Sequence, residues 1–197
     1  MSPRSAKQFD DIRKQKRELI METALELFAE NGFHATSISQ IAKKAGISKG
    51  LTYNYFESKI DILNDIIEEG IDTVYSNFDL NHDGILTEEE FVHFIRQSFR
   101  IMGENLRYWK LYYSLMLQPK VAESFNDDYK EKAEPILEML YQFISENGSK
   151  DPEGDTMVIS ALLEGAYLFF VTAPDLFPAK AMEDKIVEAC FKLIRNK

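Results

Sequence analysis

Residues 36–59, TSISQIAKKAGISKGLTYNYFESK, constrain the fold more tightly than any other part of the chain. Ile38, Ile41 and Ala42 fall at helical spacing and give one apolar face, and Gly46 supplies permissive backbone where the chain must reverse. Ser48 is a natural N-cap, so a second short helix is expected to start there. Two short helices joined by a tight turn make a helix-turn-helix, and the second carries Lys49, Gly50, Tyr53, Asn54 and Tyr55, which are polar or small enough to enter a DNA major groove.

In such a unit some groups hold the nucleic-acid backbone and others read base edges. Thr36, Ser37 and Ser48 can offer hydroxyls and helix N-terminal amides to phosphate, Tyr53 and Tyr55 can donate phenol hydrogens, and Lys59 follows at the start of the next helix. Lys49, Gly50 and Asn54 are the expected base readers: Lys reaches guanine acceptors, Gly permits close approach, and Asn pairs with adenine. Tyr53 has an alternative place as a core aromatic beneath the helix.

The run from Ile12 to Leu63 resembles the TetR family of bacterial transcriptional regulators. The likeness is carried by an amphipathic first helix ending LFAENGF, then TSI, IAKKAGISKG and YNYFESK, with Asp61 and Leu63 behind. Thr52 stands where the family more often has an aliphatic residue, and Leu51 where a small polar one is frequent. The resemblance implies DNA contacts by Lys49, Tyr53, Asn54, Tyr55 and Lys59. It also implies an all-α fold: a helix-turn-helix domain over residues 1–60, and a helical ligand-binding and dimerisation domain over 61–197.

The formal net charge of −10 is at odds with a DNA-binding chain until it is divided. Residues 1–63 hold ten Lys and Arg against eight Asp and Glu, whereas 64–197 hold thirteen against twenty-five. An acidic remainder repels phosphate and leaves the N-terminal part to meet the duplex, although a solvated acidic surface is common in soluble proteins. Arg4, Lys7, Lys14, Lys16 and Arg17 are further candidates for phosphate contact or for a solvated face.

Periodicity predicts a first helix over about 12–31, a fourth from near Ser58 towards Phe78, and further helices over about 87–103, 105–118, 127–147, 156–173 and 179–195. Pro135 is expected to kink or split the helix that contains it. No strand pattern or internal repeat competes.

A second motif lies between helices four and five. DLNHDGILTEEE, residues 79–90, matches the calcium loop of an EF-hand: Asp79, Asn81 and Asp83 alternate, Gly84 makes the turn, Ile85 offers its carbonyl, Leu86 is the apolar position, Thr87 is ninth and Glu90 closes the loop. The competing explanation is a capped turn, because Thr87 with Glu90 is also a capping box, and an EF-hand ordinarily works beside a second hand that this chain lacks.

Phe94, Phe99, Met102, Trp109, Tyr112, Tyr113, Met116, Phe125, Tyr141, Tyr167 and Phe170 enrich the remaining helices in side chains suited to an apolar or aromatic effector, or simply to a core. Phe99, Trp109, Tyr112 and Tyr167 are the expected pocket wall. Val158, Ala161, Leu162, Gly165, Leu168 and Phe169, with Ile186, Val187, Cys190, Leu193 and Ile194, spread over an arc broad enough for a homodimer contact as well as a core. His34, His82 and His93 lack zinc spacing, and no nucleophile is paired with a base, so catalysis is not expected. The single cysteine, Cys190, and the lack of a signal peptide or of eighteen consecutive apolar residues suit a cytoplasmic protein without a membrane partner.

The expected function is a ligand-responsive repressor that binds a palindromic double-stranded operator as a dimer and needs no cofactor beyond a possible calcium ion. The rival is a calcium-binding helical module in which DNA binding is secondary or lost.

Overall fold

Six helices begin where the sequence places a side chain able to satisfy the free amides of a first turn. The computed structural model describes residues 6–119, 121 and 126–195. Arg4 and Phe125 lie outside them, as do the side chains of residues 6, 7 and 126–132. Nine α-helices have bounds within the described residues: α1 Ala6–Asn31, α2 Ile38–Lys44, α3 Lys49–Tyr53, α4 Lys59–Tyr75, α5 Glu88–Glu104, α6 Leu106–Met116, α7 Asn126–Glu146, α8 Pro152–Thr172 and α9 Ala179–Ile194. Ser37, Ser58 and Thr87 each close a reciprocal capping box with the residue three positions on, and Ser48, Asn105 and Asp151 each accept one amide. Each such cap is worth about 1 kcal/mol.

The observed helices depart from the periodic reading in three places. The first starts at Ala6 rather than near residue 12, so its opening turns lack the apolar face that periodicity detects. Helix α8 starts at Pro152, because Asp151 caps it and proline suits an N-terminal turn. Pro135 does not split α7, which continues on both sides of it. One missing amide bond is offset there by packing along α8.

Helices α1 to α3 form the N-terminal unit around Ile20, Ala24, Phe28, Ile41 and Phe56, all nearly or fully buried. Helix α4 then runs from this unit into the larger one, with Ile62, Leu63, Ile66, Ile67, Ile71 and Val74 facing inward. The expected boundary at 60/61 therefore falls inside α4, which both units share. The core continues through Phe91, Ile95 and Phe99 of α5 and Ile159, Val171, Cys190 and Ile194 of the last two helices. Burial pushes the Cys190 thiol up to about 12, in keeping with an inert core thiol.

By length and composition α8 could cross a membrane, but here it packs against α5, α6, α7 and α9. Its unburied side presents Met157, Val158 and Phe169 to solvent.

Candidate nucleic-acid interface and internal cavity

The turn between α2 and α3 is made by Gly46 at φ 67°, a left-handed conformation that side chains disfavour. The Ile47 amide then closes back on the Ala42 carbonyl at 3.0 Å. Ser48 caps α3 by accepting the Leu51 amide at 3.1 Å, and Thr52, fully buried, donates to the Ser48 carbonyl at 3.4 Å. Thr52 thus fills the inward position that an aliphatic residue would otherwise occupy.

With Thr52 turned in, Lys49, Gly50, Tyr53 and Asn54 lie on the open side of α3. Tyr53 is 47% exposed, which removes it from the core, and the Lys49 ammonium stands 5.9 Å from the centre of its ring. A Cβ added to Gly50 would meet nothing within 4 Å, so its small size serves no packing inside this chain. Tyr55 is half-buried against the core.

Two residues expected to meet phosphate are engaged within the chain. Thr36 is 2% exposed, and its hydroxyl donates to the carbonyls of Leu27 at 3.1 Å and Gly32 at 3.0 Å. It closes the end of α1. The Lys59 ammonium donates to the carbonyls of Phe33 at 2.6 Å, Thr36 at 2.7 Å and His34 at 3.4 Å, and sits 4.4 Å from the centre of the Phe33 ring. All three donors are spent on the α1–α2 connection, and burial holds the amine below its ordinary value. Lysine frequency at helix starts gives no hint of this; the carbonyls come from residues more than twenty positions earlier. Arg17 is also committed, paired with Asp65 and lying over Phe56. Ser37 remains at the surface, with its amide on Gln40 Oε1 at 2.7 Å and its hydroxyl oxygen accepting the Gln40 amide at 3.3 Å.

A cavity of about 330 Å³ opens in the larger unit. Helix α4 contributes Gly70, Ile71, Val74 and Tyr75; α6 contributes Trp109, Tyr112, Tyr113 and Met116; α8 contributes Glu164, Gly165, Tyr167 and Leu168. Trp109, Tyr112 and Tyr167 therefore stand where the pocket was expected. Phe99 does not line it: fully buried, it supports Tyr167 from behind at a ring distance of 5.1 Å. Glu164 was missed, although a lone carboxylate within the apolar run ALLEGAYLFF is a visible signal. It lines the cavity with part of the residue open to solvent, hydrogen bonded to Tyr113, and partial loss of solvation raises its carboxyl above the ordinary value.

Two polar links join the cavity wall to the N-terminal unit. Gln118, just past α6, accepts the Phe33 amide at 3.0 Å and donates to the Phe28 carbonyl at 2.9 Å. Glu26 of α1 is shared between Arg107 of α6 and Lys44 of α2, and these cations hold its carboxyl below the ordinary range.

The loop at 79–90 forms the capped turn: Glu90 accepts the Thr87 amide at 3.0 Å and hydroxyl at 2.7 Å. Asp79, Asn81, Asp83, Ile85, Thr87 and Glu90 all lie on this one loop and the first turn of α5. Among the described residues, no three His, Cys, Asp or Glu side chains are drawn together as a metal cluster.

Residues 20–66 match the family model of bacterial regulatory proteins, tetR family. Residues 20–66 thus form a domain of the TetR family. The chain is 31% identical over 133 residues to the uncharacterised HTH-type transcriptional regulator YuxN of Bacillus subtilis, covering 66% of this chain and 43% of that one. It spans less than half the length of the leading curated relatives it matches. NalD, described as the secondary repressor of the MexAB-OprM multidrug efflux pump in Pseudomonas aeruginosa, shares the fold with TM-score 0.70, 19% identity and coverage of 91% and 97%. A SmeT–triclosan complex does so with TM-score 0.68, 17% identity and coverage of 89% and 90%.

Proposed function

We propose that this chain is a transcriptional regulator that binds a palindromic DNA operator as a homodimer and answers to a small apolar or aromatic effector held in the α4–α6–α8 cavity. The observation that carries the reading is the course of α4. Its first turn is tied to the N-terminal unit through the Lys59 contacts to the Phe33 and Thr36 carbonyls, and its last two turns are a wall of the cavity. An effector that favours one placement of α4 changes where α3 stands, and only such a difference in affinity shifts the equilibrium.

In this reading Lys49, Gly50 and Asn54 meet base edges, while Ser37, Ser48, Tyr53 and Tyr55 position the backbone. Thr36 and Lys59 shape the head from within. Repression is the expected sense, supported by the description of NalD, and the triclosan bound to SmeT supports an apolar aromatic effector.

The second copy is supported by α8. Met157, Ala161, Gly165 and Phe169 recur at four-residue spacing on its open side. A Cβ at Gly165 would meet nothing within 4 Å in this chain, so packing within the single chain does not require its smallness. The outward side of α9 is more polar, since Ile186, Cys190 and Ile194 are buried in the core.

Operator selection from random duplexes tests the proposal. The expected product is a palindrome whose binding weakens steeply with salt and whose occupancy is altered by ligands that quench Trp109. Recovery of no preferred sequence at any salt concentration would sink it.

A further inference from the structure

The α4–α5 loop is the one strong motif that DNA binding leaves unused, and it does not depend on the function proposed above. Asp79, Asn81, Asp83 and Glu90 occupy the first, third, fifth and twelfth places of a calcium loop, with glycine at the sixth and leucine at the eighth. The fold adds the backbone this requires. His82 and Gly84 take φ of 58° and 78°, and Asp79 Oδ2 accepts the Gly84 amide at 2.9 Å, which folds the loop back over its first residue.

A different observation points to a ligand. The other oxygen of Asp79, Oδ1, is wholly buried and has no hydrogen-bond partner. Glu90, itself 7% exposed, closes the same loop: Glu90 Oε1 accepts the amide of Leu80, the residue after Asp79, at 3.2 Å. An unpartnered buried carboxylate oxygen is costly alone and is satisfied by a cation. The chain also answers the want of a second hand. Phe78, Leu86 and Phe91, at 2%, 5% and 0% exposure, anchor the start, middle and end of the loop in the protein's own core.

We propose that residues 79–90 bind one calcium ion, through side-chain oxygens of Asp79, Asn81, Asp83 and Glu90, the Ile85 carbonyl, and Thr87 directly or through water. Both oxygens of Glu90 are engaged by the Leu80 and Thr87 amides, so ligation draws Glu90 away from the α5 cap and couples the ion to the first turn of that helix. Six protein donors with a two-oxygen glutamate suit calcium; magnesium prefers a tighter octahedron and keeps its waters.

The test is thermal unfolding and calorimetry of the full chain, freed of metal with chelator, in calcium or magnesium chloride at matched ionic strength. Calcium a hundredfold above its dissociation constant is expected to raise Tm by roughly 5–10 °C, and magnesium by much less. Glu90→Gln retains a capping residue, and Asp83→Ala alters an exposed position, so both fold without metal; each should lose the calcium-dependent gain. Should Glu90→Gln prove unstable, Asp83→Ala carries the test. No heat and no shift at 10 mM calcium (roughly the weak limit for such loops) overturns the proposal. So does a gain kept in both variants or matched by magnesium, which would mark an adventitious surface ion only.

Discussion

Tyr112 of α6 packs directly on the backbone of Gly70 of α4, so closely that a Cβ added at Gly70 would meet Tyr112 Cζ at 2.8 Å and Cδ2 at 3.1 Å. Both residues line the cavity, so an aromatic ring on one wall rests on the helix that leads to the DNA-reading head. Gly70→Ala should force the ring aside and lower stability by about 1–3 kcal/mol, as overpacking does. It should also change effector affinity more than operator affinity measured without effector. Urea denaturation with parallel ligand and operator titrations checks both, and a variant of unchanged stability and ligand affinity would show that the contact relaxes freely.

Lys59 is expected to act as a strut. Lys59→Met removes the donor to the Phe33 and Thr36 carbonyls and should lower stability by about 1–3 kcal/mol. Operator affinity should fall with an unchanged salt slope, because no counterion-releasing contact is lost. A slope reduced by about one, with Tm preserved, would return Lys59 to the phosphate backbone.

Asn54 and Lys49 are expected to carry base preference. Asn54→Ala should relax selection at particular operator positions by about 1–3 kcal/mol per contact, whereas Tyr55→Phe should weaken all sequences alike. Competition binding against singly substituted operators distinguishes them. Uniform losses for both variants would remove Asn54 from the base readers.

Glu164 is expected to make stability depend on pH. Its folded-state carboxyl is raised above 4.5 by lost solvation, so its favourable contribution is complete below that value and is lost as pH rises through the raised one. Glu164→Gln should therefore raise Tm at pH 7 to 8, and the gain should vanish as pH falls to about 4, near the ordinary carboxyl range. An equal change in Tm at every pH would place the effect elsewhere.

Local chemistry determined much of this protein within the sequence. Several helix starts were legible because a cap is a short-range event: Ser48 with Leu51, Ser58 with Asp61 and Thr87 with Glu90 lie three residues apart. The helix-turn-helix was legible for the same reason, since the alternation of buried Ile41 and Thr52 with exposed Lys49 and Tyr53 needs only helical geometry and one reversing glycine. Only the tertiary structure decided which polar groups remain free to act. Thr36 and Lys59 look available in sequence and are taken by carbonyls that arrive from elsewhere in the chain, just as Arg17 is taken by Asp65. The pocket followed the same rule. Phe99 and Tyr167 are equally aromatic, and which of them faces the cavity is set by how α5 and α8 rotate against one another to bury the larger apolar area, a choice no single helix contains.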